Sequence, residues 1–421
     1  MPDTDLDTKL ERLRDDLRGS LPVPGFDKVV ARHKQRVVRR RMQIGAVAAV
    51  LVVSVAVPLL RTQMVPEPVP PATPPPPSEP SYPKGTFIHR AEFADPEHGY
   101  VIRSRCKEGT GRCTSELLAT DDGTNWTPRK LPRPDSAPSW AREDLSVLGP
   151  KEITVDWPLS ATLDGTRVHR AHSVDGGATW ETVSVPSVVT DRVPAIPDGG
   201  VLVESCARLV GGGKQCAERG FAVLLPGSGK SAVLENRPPL TAMLAGRVPT
   251  KDGIWWVAGR DPETDHWGLA VSDDDGRTWT TTILDWRETV SSRGWFVDSH
   301  DGILYASAIG GMPDTSNGLL GVFRSTDGGR TWQQTWRPAD DKQPRRVFGY
   351  MVAGAEGLTI NTPDGTAYLS RDGGRTFTET KRRYGDYAYR TGLGYVSVGS
   401  NSSRKVQTSV DGVHWRTFEV D

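Results

Sequence analysis

Along the chain, apolar and polar positions change rhythm several times. Leu6, Leu10, Leu13 and Leu17 stand at 4, 3, 4 spacing with charged residues between them, which predicts an amphipathic helix of three to four turns. From 42 to 60 almost every residue is apolar, and 19 residues of helix reach about 28 Å, enough to cross a bilayer core. Ten prolines between Val65 and Pro83 then favour an extended polyproline II stalk. From Gly85 onward the rhythm is that of short strands separated by turn residues. In the first unit these are Phe87 to Phe93, Tyr100 to Arg105, Glu116 to Thr120 and Trp126 to Lys130. The scheme recurs at Gly294 to Val297, Ile303 to Ala308, Leu319 to Arg324 and Trp332 to Trp336, and a last strand runs from Arg416 to Val420. The expected organisation is a cytoplasmic segment 1–41, a membrane span 42–60, a Pro-rich stalk 61–84 and a β-domain 85–421.

The turns of the β-domain share one chemistry. Ser173/Asp175/Gly177/Thr179/Trp180 returns as Ser272/Asp274/Gly276/Thr278/Trp279, as Ser325/Asp327/Gly329/Thr331/Trp332 and as Ser370/Asp372/Gly374/Thr376/Phe377. Two tighter forms carry Asp122 with Trp126 and Asp411 with Trp415. The Asp accepts bonds from backbone N–H groups ahead of it, the Gly supplies positive φ, and the hydroxyl adds a local side-chain bond. The aromatic residue starts the next strand and buries its ring. These are folding roles, and six matches in one chain mark repeated supersecondary units. The motif resembles the Asp-box, or BNR, repeat of sialidases and many other β-propellers.

Spacing of the aromatic position leaves one double interval, between Trp180 and Trp279. A degenerate turn at Pro226 to Lys230, which has glycines but neither Asp nor Trp, fills it. Seven units of about 48 residues then span 85–421, near the length of a four-stranded blade. The expected fold is all-β, a seven-bladed β-propeller. No blade is shared between the two ends of the domain, so closure of the ring falls to packing of the first blade against the last.

Charge orients the whole. Lys28, Arg32, Lys34, Arg36, Arg39, Arg40 and Arg41 precede the apolar span and only Arg61 directly follows it, which places the N-terminus in the cytoplasm and the propeller outside. A cleaved signal peptide is the competing reading, disfavoured by the long apolar stretch, the residues before it and the lack of a small-x-small site. Beyond residue 41 the chain has 41 basic and 45 acidic residues, an argument against nucleic acid as partner. Usage of 39 Arg to 13 Lys fits a GC-rich bacterial genome and hence a bacterial cell membrane. The segment 1–41 is a candidate docking site for a cytoplasmic protein. Its layout resembles the heads of bacterial single-pass proteins that work with extracytoplasmic-function sigma factors, although His33 stands there without any Cys.

The four cysteines form two local pairs, Cys106 with Cys113 and Cys206 with Cys216, each flanking a Gly-containing hairpin. Disulfides are expected in an extracytoplasmic domain, and neither pair has the spacing of a zinc site. His169 and His172 fall on opposite faces of a strand, and Asp261 to Asp265 reads as an acidic surface loop rather than a calcium site. No metal or cofactor is expected.

The sialidase resemblance implies a possible activity. Sialidases grip a carboxylate with three arginines and use a Tyr nucleophile partnered by Glu and an Asp acid, none of which lies in the boxes. Their Arg-Ile-Pro motif is missing from Gly85 to Phe93, while Arg192-Val-Pro194 and Arg247-Val-Pro249 read as turns between blades. The stretch Tyr384 to Tyr389 lies where a nucleophile would fall. With no catalytic residue assigned, the expectation is a non-catalytic module that binds or senses an envelope or extracellular ligand, glycan or protein; the alternative is an exo-α-sialidase-like glycoside hydrolase. The candidate ligand contacts are Trp255, Trp256 and Trp267, where an exposed ring would stack on a sugar or anchor a protein.

Overall fold

The computed structural model describes residues 85–420 apart from 107–112, 136, 138–142, 159–167, 211–214, 287–291, 313–314, 339–343, 345–350, 363–365, 382–383, 386 and 400–403. Seven four-stranded sheets follow one another along the chain, at 85–129, 144–183, 192–234, 241–283, 292–336, 351–380 and 387–419. They are the seven blades of the propeller. Blade one carries strands Gly85–Phe93, Gly99–Cys106, Cys113–Thr120 and Thr127–Arg129, close to those the sequence outlines. Among the described residues no helix is long and apolar enough to cross a membrane. The helix at Leu6 to Leu17, the span 42–60 and the stalk lie outside the described residues.

Strand alternation explains the core. In blade one Tyr100, Ile102 and Leu117 pack toward Ile153, Val155 and Trp157 of blade two, while Val101 and Leu118 pack with Val396, Val398 and Val406 of blade seven. Successive residues point to opposite faces, and each face meets a neighbouring blade. Inner strands therefore pack apolar residues on both sides and turn polar ones such as Arg90, Asp144 and Asp298 toward the axis. Ring closure runs between blades one and seven, as expected. The Tyr389 hydroxyl donates to the Ala91 carbonyl at 2.6 Å and accepts from the Ala91 N–H at 3.0 Å, and Leu393 N donates to Phe93 O at 3.1 Å.

The Asp boxes are rigid local networks. In the box at Ser325, the hydroxyl donates to Asp327 Oδ1 at 2.8 Å and accepts from Gly329 N at 2.9 Å. Asp327 Oδ1 accepts from Thr331 N, Oδ2 accepts from Thr331 Oγ1, and Trp332 Nε1 donates to Gly329 O. These hydroxyl and N–H donors hold the carboxyls of Asp175, Asp274 and Asp327 down at about 2, and Asp372 reaches about 2 despite partial burial that opposes its ionisation. The boxes also join blades: a Cβ built on Gly329 would stand 2.3 Å from Val271 Cγ2 of the preceding blade.

Blade three differs from the expected pattern. Its sheet order puts Val201–Val210 innermost, then Gln215–Leu224 and Ser231–Leu234, and the two-residue strand Arg192–Val193 pairs parallel at the outer edge. Pro194 and Pro197 lack the N–H that an inner strand needs, so the segment before them lies at the edge, where Asp191 O and Val193 O accept from Val233 N and Glu235 N. The degenerate turn keeps its hairpin but has lost its Asp, and Glu152 of blade two accepts from Gly227 N at 2.5 Å in its place. Arg170 of blade two, bidentate on Asp156, also donates to Gly229 O and Ser231 Oγ. Both disulfides form as expected, with Cα separations of 4.0 Å for Cys106–Cys113 and 5.7 Å for Cys206–Cys216.

Candidate functional site

A cavity of about 710 Å³ occupies the axis of the ring, and all seven blades contribute to its lining. Its first feature is three arginines from inner-edge positions: Arg90 of blade one, Arg247 just after the first strand of blade four, and Arg390 of blade seven. Each has a carboxylate partner. Arg90 donates to Glu92 Oε1 at 2.6 Å and lies 3.6 Å from Asp144 Oδ1. Arg247 donates to Asp144 Oδ2 at 2.7 Å, to Leu145 O at 2.9 Å and to Ser146 Oγ. Arg390 donates to Pro249 O at 3.0 Å and stands 3.7 Å from Asp298 Oδ1.

The acids respond to enclosure in different ways. Burial pushes Glu92 and Asp298 above the ordinary carboxylate range and outweighs their arginine neighbours. Asp144 is half-exposed, and although desolvation by the surrounding wall works in the same sense, the Arg247 and Arg90 guanidiniums prevail and its carboxyl is lowered. Asp298 knots three blades: Oδ2 accepts from Ala353 N of blade six at 2.8 Å and from the Tyr395 hydroxyl of blade seven at 2.7 Å.

The tyrosines are committed to the scaffold. Burial and the Asp298 carboxylate push the Tyr395 phenol well above its ordinary value, so it acts as a hydrogen-bond donor at neutral pH. Tyr389, under the Arg90 guanidinium at 4.8 Å, spends its hydroxyl on the Ala91 backbone. Tyr384 is buried, donates to Thr359 O and lies against Trp415.

The tryptophans expected as ligand contacts are not exposed, which corrects that expectation. Trp255, Trp256 and Trp267 retain only 5%, 7% and 5% of their surface. Adjacent Trp255 and Trp256 do point to opposite faces, but both faces are covered: Trp255 packs with Phe221 of blade three, Trp256 with Trp267 and Trp295 toward blade five. Of the three, only Trp256 reaches the channel wall. The box residues Asp122, Asp175, Asp274, Asp327, Asp372 and Asp411 each accept bonds within their own turn. Their aromatics Trp126, Trp180, Trp279, Trp332, Phe377 and Trp415 pack beside the blade cores. His172 pairs with Glu152, His169 lies near Trp157, and Asp261 caps Thr264 in its own turn. Asp95, Glu97 and His98 come together at a turn that already satisfies Asp95 through the Glu97 and His98 N–H groups.

The channel arginines were not assigned as a site from the sequence. The sequence reads Arg247 as part of a turn between blades, whereas it lies within blade four, between Thr241–Ala245 and Trp255–Arg260, and the signal that finds it is position, since residues at inner-strand edges face the axis.

Comparison with known proteins supports the repeat. The BNR/Asp-box repeat model matches residues 323–334, the third complete octet. No curated protein matches the chain. Among solved structures the chain is similar to YCF48 bound to D1 peptide, at 16% identity over 80% of this chain and 83% of that one, with a TM-score of 0.32. It is similar to the Trypanosoma rangeli sialidase in complex with sialic acid, at 14% identity and TM-score 0.36, covering 79% of this chain and 53% of the sialidase. The propeller domain of the Trilobed protease from Pyrococcus furiosus aligns at 11% identity over 79% of this chain and 98% of that one, TM-score 0.42. The chain spans about half the length of the sialidase, and likeness at this level carries nothing about activity.

Proposed function

We propose that the chain is a membrane-anchored, extracytoplasmic propeller that binds an envelope or extracellular ligand, glycan or protein, at its central channel without turnover. Support for the anchor is the apolar run 42–60 with its basic flank, and 1–41 is then the segment available to a cytoplasmic protein. One observation carries the binding reading: the polar groups a hydrolase would need in the channel are engaged with one another. The three arginines are held on Glu92, Asp144 and Asp298, and the hydroxyls of Tyr389 and Tyr395 are fixed by Ala91 and by Asp298 with Ala353. A nucleophilic phenol needs a lowered pKa, whereas burial and the Asp298 carboxylate, whose Oδ2 accepts from the hydroxyl at 2.7 Å, hold Tyr395 above its ordinary value.

Three arginines in one channel are the observation that favours the second reading, a sialidase-like hydrolase, because bidentate guanidiniums hold a sugar acid. Incubation of the purified chain with a fluorogenic sialoside separates the two. The binding reading expects no release of fluorophore, and turnover that disappears in Tyr395→Phe would establish the hydrolase.

A further inference from the structure

We infer that the central channel takes an apolar carboxylate, whose charged end replaces the Asp144 side chain between Arg90 and Arg247. The inference deepens the binding reading above and rests on it. Asp144 sits between two guanidiniums, 2.7 Å from Arg247 and 3.6 Å from Arg90, in the position an external carboxylate would take. Its side chain is 52% exposed, whereas Glu92 and Asp298 keep 7% and 4%. Asp156, a further lining acid held by Arg170, keeps 17%, so among the arginine-paired acids at the channel Asp144 is the one most free to swing out into solvent.

Both guanidiniums stay in place when Asp144 leaves. Arg247 remains aimed by Leu145 O and Ser146 Oγ, and Arg90 by Glu92 and the Tyr389 ring. Displacement thus uncovers a preorganised anion site rather than two mobile side chains, and a fixed site loses little on binding. At the two guanidiniums the exchange is one carboxylate for another.

The rest of the cavity selects what is attached to that carboxylate. Val203, Leu244, Val248 and Phe296 are only part-buried and line the same space. Its volume of about 710 Å³ lies within the range of small-ligand pockets, roughly 300–1,000 Å³. An apolar body fits this part of the wall. A peptide C-terminus with apolar last residues and a short fatty acid share this chemistry.

Calorimetric titration of the full chain, purified in detergent, tests the inference with N-acetyl-leucyl-phenylalanine, its C-terminal amide and hexanoate. The acid is expected to bind at least tenfold more tightly than the amide. Asp144→Asn, which removes the internal competitor, tightens the acid about tenfold and leaves the amide unchanged, while Arg247→Gln abolishes the preference. Preference for the dipeptide over hexanoate identifies a peptide source, and the reverse identifies a lipid source. Equal binding of acid and amide, or of neither, overturns the inference on the wild-type protein alone, whatever the variants do. Failure here leaves the non-catalytic reading standing, since only sialoside turnover removes that.

Discussion

Two adjacent glycines in one Asp box allow the inter-blade role of the motif to be measured. Gly328 and Gly329 both have positive φ, +70° and +84°, so alanine at either position incurs the left-handed penalty of about 1–2 kcal/mol. Their surroundings differ. A Cβ on Gly328 has no neighbour closer than the flexible end of Arg330, at 3.7 Å, whereas one on Gly329 would overlap Val271 Cγ2 at 2.3 Å. Val271 is itself 4% exposed in the core shared by blades four and five, so it has little room to yield. Overpacking of this kind costs about 1–3 kcal/mol more. Gly328→Ala is therefore expected to lose about 1–2 kcal/mol and Gly329→Ala about 2–5 kcal/mol. Urea unfolding followed by tryptophan fluorescence reads both, because Trp332 belongs to the same box. Equal losses in the two variants would refute the view that the second glycine exists to let blades approach.

Acid stability should follow the boxes. Carboxyls held at about 2, against 3.8 when unfolded, contribute stability that is complete above about pH 4 and is lost as pH falls from 3.8 through 2; Asp327→Asn should flatten that limb of a pH-unfolding curve. Glu92 and Asp298, raised by burial, act in the opposite sense and favour the folded state as they take up protons. Tyr395→Phe leaves the buried Asp298 short of one donor and is expected to cost about 1–3 kcal/mol in the same urea assay, with the Tyr389 variant as a comparison for ring closure. Serine at both Cys206 and Cys216 removes a cross-link spanning 10 residues and should cost about 2–3 kcal/mol, seen as a lower Tm on which reductant acts only through the remaining Cys106–Cys113 bridge.

The repeat was legible because its chemistry is local. Ser, Asp, Gly, Thr and Trp at fixed offsets build a turn from within a few residues, so the blades, the strand runs and both disulfides could be read directly. Blade three was legible only in part: its glycines marked the turn at Pro226, but the parallel edge strand at Arg192 pairs with Val233 and Leu234, far along the chain, which no local motif announces. The tryptophans misled for a physical reason. Alternation along a strand implies one wet face in an open sheet, whereas both faces of blade four are covered by neighbouring blades at these tryptophans. The channel was illegible because Arg90, Asp144, Arg247, Asp298 and Arg390 come from five blades and share nothing in sequence but proximity to the axis.

The central claim is that this channel binds without turning its ligand over. Its most direct test is hydrolysis of a fluorogenic sialoside by the purified chain across about pH 4 to 8, the span in which catalytic carboxylates are usually tuned. The account predicts a flat baseline from a protein whose circular dichroism shows intact β-structure. Release of fluorophore that is abolished by Arg247→Gln or Tyr395→Phe, in variants that remain folded, would contradict it.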